Sequence, residues 1–268
     1  MPVITLMTDF GIKDGNVGVM KGVIWGINPS VQISDLSHMI QPQNISEASY
    51  ILARSAPYFS NGTVHVVVVD PGVGTRRRPM AAQIGDWFYV GPDNGTITGL
   101  LERAQDSGWQ THFVELNRTQ YWLPEVSSVF HGRDIFSPVA AHLANGVSLD
   151  ELGVPFNDPV RLTVRSPKKI DGGLCGEVIH IDHFGNIASN IKVEHLGAAL
   201  GMKENILVRL NGTEIRGLVN TFGDRNEADV VALMNSTGFL SVAVVNGNAA
   251  AALGVKTGDE ILVTFSSE

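Results

Sequence analysis

Residues 65–70 read HVVVVD, four consecutive valines closed by an aspartate. A strand with one wet face alternates apolar and polar residues. An unbroken β-branched run needs apolar cover on both faces, which a sheet receives when helices pack above and below it. The neighbouring sequence supplies the helices. Residues 3–7 are a short apolar run, TDFG follows, and Val17, Met20, Ile24 and Ile27 recur at helical spacing until Pro29. VQISDLS (31–37) reads as a strand, and Asn44 or Ser46 caps a helix through Leu52. Two more strands fall in MAAQIGDWFYV (80–90) and a helix in ITGLLERAQ (97–105). HFVEL (112–116) leads into an irregular stretch, and Phe136, Val139 and Leu143 mark a helix within HGRDIFSPVAAHLANG (131–146). The expected class is α/β: residues 1–160 form a layered α/β domain with a central sheet flanked by helices.

The texture changes near residue 160. RSPKKIDGG (165–173) suits a linker. After it come short alternating segments, GEVIHID, NILVRL, EIRGLV, FLSVAVV and EILVTF, with Asn211-Gly212 as a hairpin signal. Residues 168–268 are therefore expected to form a smaller all-β, barrel-like domain.

Composition narrows the function. The 268 residues are 44% apolar, enough for a substantial core, and carry a formal net charge of -8. That balance argues against nucleic acid as a partner, since phosphate-backbone binders present clustered basic surface. Cys175 is the single cysteine, so neither an intrachain disulfide nor a Cys-rich zinc site is expected, and a reducing compartment fits. The first residues lack a basic signal-type region and no stretch approaches the ~20 apolar residues of a membrane helix. A soluble cytoplasmic protein with no membrane partner is expected.

Ligands of open α/β sheets gather at the carboxyl ends of strands. Asp9, Asp35, Asp70 and Asp93-Asn94 each follow an apolar run. Singly, each is also what a turn or a helix cap uses. The DFG triplet at residues 9–11 lacks the other kinase loops, and neither a Walker sequence nor GxGxxG follows the first strand. His131-Gly-Arg-Asp134 and the group His180, Asp182 and His183 raise a divalent-metal phosphohydrolase as one alternative, without an HExxH pattern to support it. A non-catalytic nucleoside sensor is another. The run Arg76, Arg77 and Arg78 reads first as a solvated loop. His38, His65, His142 and His180 carry no assigned role.

Taken together, TDFG with Asp14, VDPGVGTRRRP, GPDNG, FHGRDIFSPVAAHL, IDHFGNIASN and NSTGFLSVAV resemble, in order from residue 3 to the C-terminus, the S-adenosyl-L-methionine hydrolase (adenosine-forming) family. That family shares a fold with bacterial fluorinating and chlorinating enzymes. The resemblance implies hydrolysis of S-adenosyl-L-methionine to adenosine and L-methionine by in-line attack of an activated water on the ribose C5′. It implies no cofactor and no metal, and a homotrimer with sites between the N-terminal domain of one subunit and the C-terminal domain of its neighbour. Asp70, Arg77 and His131 fall on the family's water-activating set. Asp9 falls on the carboxylate that grips both ribose hydroxyls. Asp14 and Asp182 match positions around the methionine ammonium, and Ser236 one near its carboxylate. Asn186 and Phe222 match adenine contacts, and Ala249 a backbone contact to adenine.

Two departures from the halogenating relatives matter. Val73 and Gly132 stand where those enzymes carry small hydroxyl residues around the halide, and those enzymes lack the Asp-Arg-His set. Water is thus the expected nucleophile, with a halide-using halogenase as the alternative. Thr237 stands where the fluorinating enzyme has an arginine, and NGNAAAA needs a small insertion relative to the halogenating enzymes.

Overall fold

The structure is a computed structural model and describes residues 3–265. The chain divides into two compact units, Met1–Leu162 and Thr163–Glu268.

The first unit is built on seven strands, β1 (Val3–Thr8), β2 (Gln32–Ser37), β3 (Val64–Val68), β4 (Pro79–Ile84), β5 (Trp87–Pro92), β6 (Thr111–Leu116) and β7 (Gly153–Phe156), in the spatial order β2-β1-β3-β5-β4-β6-β7. Val66–Val68 of the valine run lie in β3, which is buried at every residue and paired in parallel with β1 and β5, and Val69 follows it. Val64, Val66 and Val68 face a core shared with helices α1 (Asn16–Ile27) and, from later in the chain, residues 139–143. Val67 and Val69 face a second core with α2 (Ile45–Ser55) and α3 (Thr98–Ser107). Two opposed cores explain the missing polar alternation, because each buried valine contributes on the order of 2 kcal/mol from either side. The helix carrying residues 139–143 is α4 (Ser137–Ala144). Asn44 caps α2, its side chain accepting from Glu47 N at 3.0 Å.

Half of the sheet is antiparallel. β4 pairs antiparallel with both β5 and β6, and β6 with β7. A two-residue connection at Gly85-Asp86 leaves no room for a crossover helix, so a hairpin forms. Asp35 lies within β2, in register with Leu6, and bonds Lys21 of α1 at 2.7 Å. It thus lies inside the strand expected over residues 31–37, not at a carboxyl end where a ligand would gather.

The second unit is an antiparallel sheet of β8 (Lys168–Ile170), β9 (Gly173–Ile181), β10 (Ile187–Lys192), β11 (Ile206–Leu210), β12 (Thr213–Arg216), β13 (Val230–Met234), β14 (Phe239–Val244) and β15 (Glu260–Phe265), with short helices α5 (Val193–Leu196) and α6 (Ala249–Leu253). Its main path runs β12-β11-β15-β9-β10-β14-β13, and the two edge strands pack against each other, so the sheet is nearly closed. Asn211 (φ 45°) and Gly212 (φ 79°) form the hairpin between β11 and β12, both left-handed as a two-residue turn of this hand requires. β8 falls inside the stretch that read as linker; its backbone pairs with β9. Among the described residues no helix is long and apolar enough to cross a membrane.

Candidate active site

Beyond the end of β3 the chain turns at once. Val73 N donates to Asp70 O at 3.2 Å, and Thr75 closes a second turn on Gly72 O through both its amide and its hydroxyl. The double turn returns Arg77 beside Asp70. Arg77 Nε lies 3.0 Å from both carboxylate oxygens, and Nη2 makes a still closer contact with Oδ2. The same Nη2 donates to His131 Nδ1 at 2.8 Å. Both members of the ion pair are shielded, the Asp70 side chain 5% and the Arg77 side chain 9% exposed, and the Phe136 ring lies 5.3 Å from the guanidinium. A planar fork matched to a carboxylate is the geometry that arginine makes and lysine does not.

His131 is placed by an irregular helix start. Residues Gly132–Phe136 form a π turn ahead of α4, and Ser137 closes it by donating to Gly132 O through its amide and, at 2.7 Å, its hydroxyl. Asp134, fully buried, accepts from Ser127 N at 2.8 Å and Arg133 Nε at 2.6 Å, fixing the loop that enters the turn. Gly74 (φ 75°) joins that loop to the Asp70–Arg77 turn. A Cβ there would lie 2.2 Å from Ser128 O, so only glycine permits the approach. Burial, reinforced by the Arg77 charge, pushes the His131 imidazole below the ordinary histidine value. Because arginine only donates, Nδ1 is an acceptor, and the neutral ring carries its proton on Nε2.

Asp9 follows β1. Its Oδ2 accepts the Gln43 amide at 2.8 Å, and Gln43 holds φ at 64°, a left-handed conformation that costs a non-glycine residue about 1–2 kcal/mol. A cleft of about 270 Å³ is lined by Asp9, Gln43, Asp70, His131, Val73 and Gly132, with Phe10, Val68, Pro71, Val129 and Phe130 completing its wall. Asp14 is exposed ahead of α1 and is not part of that lining.

The remaining candidates lie in the second unit. Asp182 accepts from Phe184 N and Asn186 N at 2.9 Å through Oδ1, and from Asn186 Nδ2 at 2.9 Å through Oδ2. It therefore organises the loop that presents Asn186. Gly185 of that loop abuts Asn248, the cap of α6, and Ala250 N donates to Gly185 O at 3.0 Å, so the loop and Ala249 are brought together. Phe222 is 46% exposed in a short turn, and Ser236 is exposed at the tip between β13 and β14, where Asn235 Oδ1 accepts from Thr237. Gln43 was invisible to sequence reading, since nothing in a glutamine marks a left-handed backbone.

Arg78 has different work from Arg77. It bonds Asp93 at 2.8 Å and Asp158 at 2.8 Å and stacks on Phe156 at 4.2 Å. Arg76 is exposed. Among the described residues no group of three His, Cys, Asp or Glu side chains could hold a metal ion.

Residues 4–153 match the family profile of the SAM hydroxide adenosyltransferase N-terminal domain, and residues 176–262 that of the C-terminal domain. The chain belongs to this family. Among SAM hydroxide adenosyltransferase relatives, it is 39% identical to an (R)-S-adenosyl-L-methionine hydrolase of Salinispora tropica, over 98% of each chain. A fluorinase of an Actinoplanes species is more distant, 30% identical over 98% of this chain and 97% of its own. The solved structure of an uncharacterized conserved protein from Thermotoga maritima superimposes with a TM-score of 0.90 at 36% identity, covering 97% of this chain and 99% of that one.

Proposed function

We infer that this protein hydrolyses S-adenosyl-L-methionine to adenosine and L-methionine, with water attacking the ribose C5′ in line with the departing sulfur. The observation that carries the reading is the hydrogen-bonded set Asp70, Arg77 and His131, of which Asp70 and His131 line a cleft that Asp9 also lines. The hydrolases similar over nearly the whole chain support it, and their names specify the (R) compound; since L fixes the α-carbon, the descriptor belongs to sulfur. We take the (R) sulfonium as substrate.

The leaving group is a neutral thioether released from a cation, so it needs no acid. The demanding task is to make water a nucleophile. Arg77 occupies Nδ1 of His131, which leaves the Nε2–H to donate to the water oxygen and fix its lone pair toward C5′. The water proton then passes to Asp70, whose oxygens retain acceptor capacity beyond their bonds to Arg77. As the O–C5′ bond forms, the C5′–S bond breaks with its electron pair moving to sulfur, and Asp70 returns the proton to solvent. Positioned base catalysis of this kind is worth about 10²- to 10⁴-fold, and alignment of the reactants several kcal/mol, up to ~7–11.

Asp9 suits the ribose diol, two adjacent O–H donors against one ionised carboxylate. Asp14 and Asp182 are proposed around the methionine ammonium and Ser236 near its carboxylate. Asn186, Phe222 and the backbone at Ala249 are proposed at adenine. Drug-sized ligands fill ~300–1,000 Å³, so a cleft of about 270 Å³ takes the reacting centre and not the whole substrate. A homotrimer that adds a neighbour's C-terminal unit to each cleft would supply the rest, and we place the protein in the cytoplasm, where the substrate class is found with reduced thiols. Val73 and Gly132 in the lining favour water over halide.

Incubating the purified protein with each sulfonium epimer, with and without chloride or fluoride, tests the assignment. Adenosine and methionine from the (R) compound are expected. A 5′-halo nucleoside would convert the reading to a halogenase, and unchanged ligand at high protein concentration to a sensor.

A further inference from the structure

His38, a buried histidine that the mechanism does not use, bonds residues on both sides of Asp9. His38 is 8% exposed. Its Nδ1 is 3.0 Å from Thr8 Oγ1, and Thr8 Oγ1 accepts the Phe10 amide at 3.2 Å. The His38 carbonyl accepts the Gly11 amide at 2.8 Å. On the other side, His38 Nε2 stands 3.0 Å from Asp35 Oδ1, an ion-pair approach without the alignment of a hydrogen bond, and Asp35 Oδ2 accepts Lys21 Nζ of α1 at 2.7 Å.

Donor and acceptor counting gives this chain a direction. Thr8 Oγ1 already accepts one N–H, and its own proton has no better acceptor than His38 Nδ1. The ring proton then sits on Nε2, facing the Asp35 carboxylate, which is the electrostatically favoured tautomer. Residues 8, 10 and 11 are therefore bracketed by His38 on both sides of Asp9, through its ring at Thr8 and through its carbonyl at Gly11. Gln43, five residues further along the same segment, seizes the Asp9 carboxylate itself. The segment 38–43 and the turn 8–11 form one clamped unit with Asp9 at its centre.

We propose that His38 is a positioning residue for Asp9, with Thr8 passing on its orientation and the Asp35 carboxylate facing its Nε2. The inference rests on the reading of Asp9 as the carboxylate that takes the ribose hydroxyls. A histidine that only filled the core would affect stability and leave the ligand-binding constants of the folded fraction alone. A positioning histidine acts on the substrate term and does so only while Asp9 is present.

The test is a double-mutant cycle on KM for S-adenosylmethionine and Kd for adenosine, with His38→Leu, Asp9→Ala and the pair. His38→Leu is expected to raise KM about tenfold, the worth of roughly one well-placed hydrogen bond to a charged group, with a smaller change in kcat. Added to Asp9→Ala it should change neither constant further. His38→Asn, whose amide oxygen reaches the place of Nδ1, should recover most of the loss. Should His38→Leu not fold, Thr8→Val breaks the same link with the same shape and is judged by the same cycle. Additive effects in the cycle, or an unchanged KM in the folded variant, overturn the proposal. Wild-type protein that forms no adenosine overturns the hydrolase reading first, and this inference with it, whereas adenosine formed alongside additive effects overturns the positioning role alone.

Discussion

Asp70, Arg77 and His131 differ from ordinary surface ion pairs in being shielded and shared. Asp70→Asn removes the proton acceptor while leaving the shape, and should lower kcat at least a hundredfold with little change in KM, as expected for a group acting in the transition state. Arg77→Lys keeps the charge and loses the fork, so a loss of similar sense is expected; steady-state kinetics on both variants decides. A second expectation concerns pH. Protonating His131 would place a proton on Nδ1 against Arg77, and burial opposes it as well, so the ring stays neutral below the usual histidine value of about 6.5. The acid limb of the kcat/KM profile should therefore lie below that value. An acid limb centred at an ordinary histidine pKa would contradict the tautomer argument. At this scale the sequence displayed the chemistry-bearing types, Asp after a buried run and three arginines beside it. Residue types alone do not say which arginine turns inward, which only the family resemblance assigned to Arg77, because that depends on the double turn at residues 70–75. Nor do they reveal Gln43, whose contribution is a backbone amide, or show that Asp182 organises its own loop.

Among the elements, the π turn Gly132–Phe136 and the Gly74 contact hold the two halves of the candidate site together. Gly74→Ala would put a methyl group into Ser128 O and force a left-handed alanine, which costs about 1–2 kcal/mol from the conformation alone. Thermal denaturation should show the loss, and kcat should fall further than stability does because the loop separates from the His131 segment. Wild-type kcat in a folded Gly74→Ala protein would show that the two loops need not touch. Helical spacing in residues 136–143 announced α4 but not the wider turn before it, since the extra residue depends on Ser137 bonding Gly132 O rather than on periodicity. The strand and helix succession of the first unit was legible because β3 is apolar on both faces. The hairpin of β4 and β5 within it follows from a short connection, whereas β8 escaped notice because a three-residue strand with two lysines carries no alternation worth reading.

For the whole molecule, acid stability offers a test independent of activity. His65 is buried, bonds Thr5 at 2.8 Å through Nδ1, and burial lowers its pKa to about 4. The unfolded chain, with an ordinary histidine near 6.5, binds the proton first, so stability is complete above that value and declines as pH falls toward 4. The total is on the order of 3 kcal/mol. Unfolding free energies of wild type and His65→Asn at pH 7 and pH 5 should show a weaker pH dependence in the variant; equal slopes would remove His65 from the account. Assembly is tested by mixing. If each site joins two subunits, an Asp70→Asn protein and an Asn186→Ala protein, both weak alone, should regain activity when co-assembled, to about a quarter of wild type for random closed rings. No recovery would confine the site to one chain. The central claim, that water primed by Asp70 attacks C5′, is tested most directly by turnover of (R)-S-adenosyl-L-methionine in heavy-oxygen water. Mass analysis should place one heavy oxygen in adenosine and none in methionine, while adenosine released without the label would contradict the account.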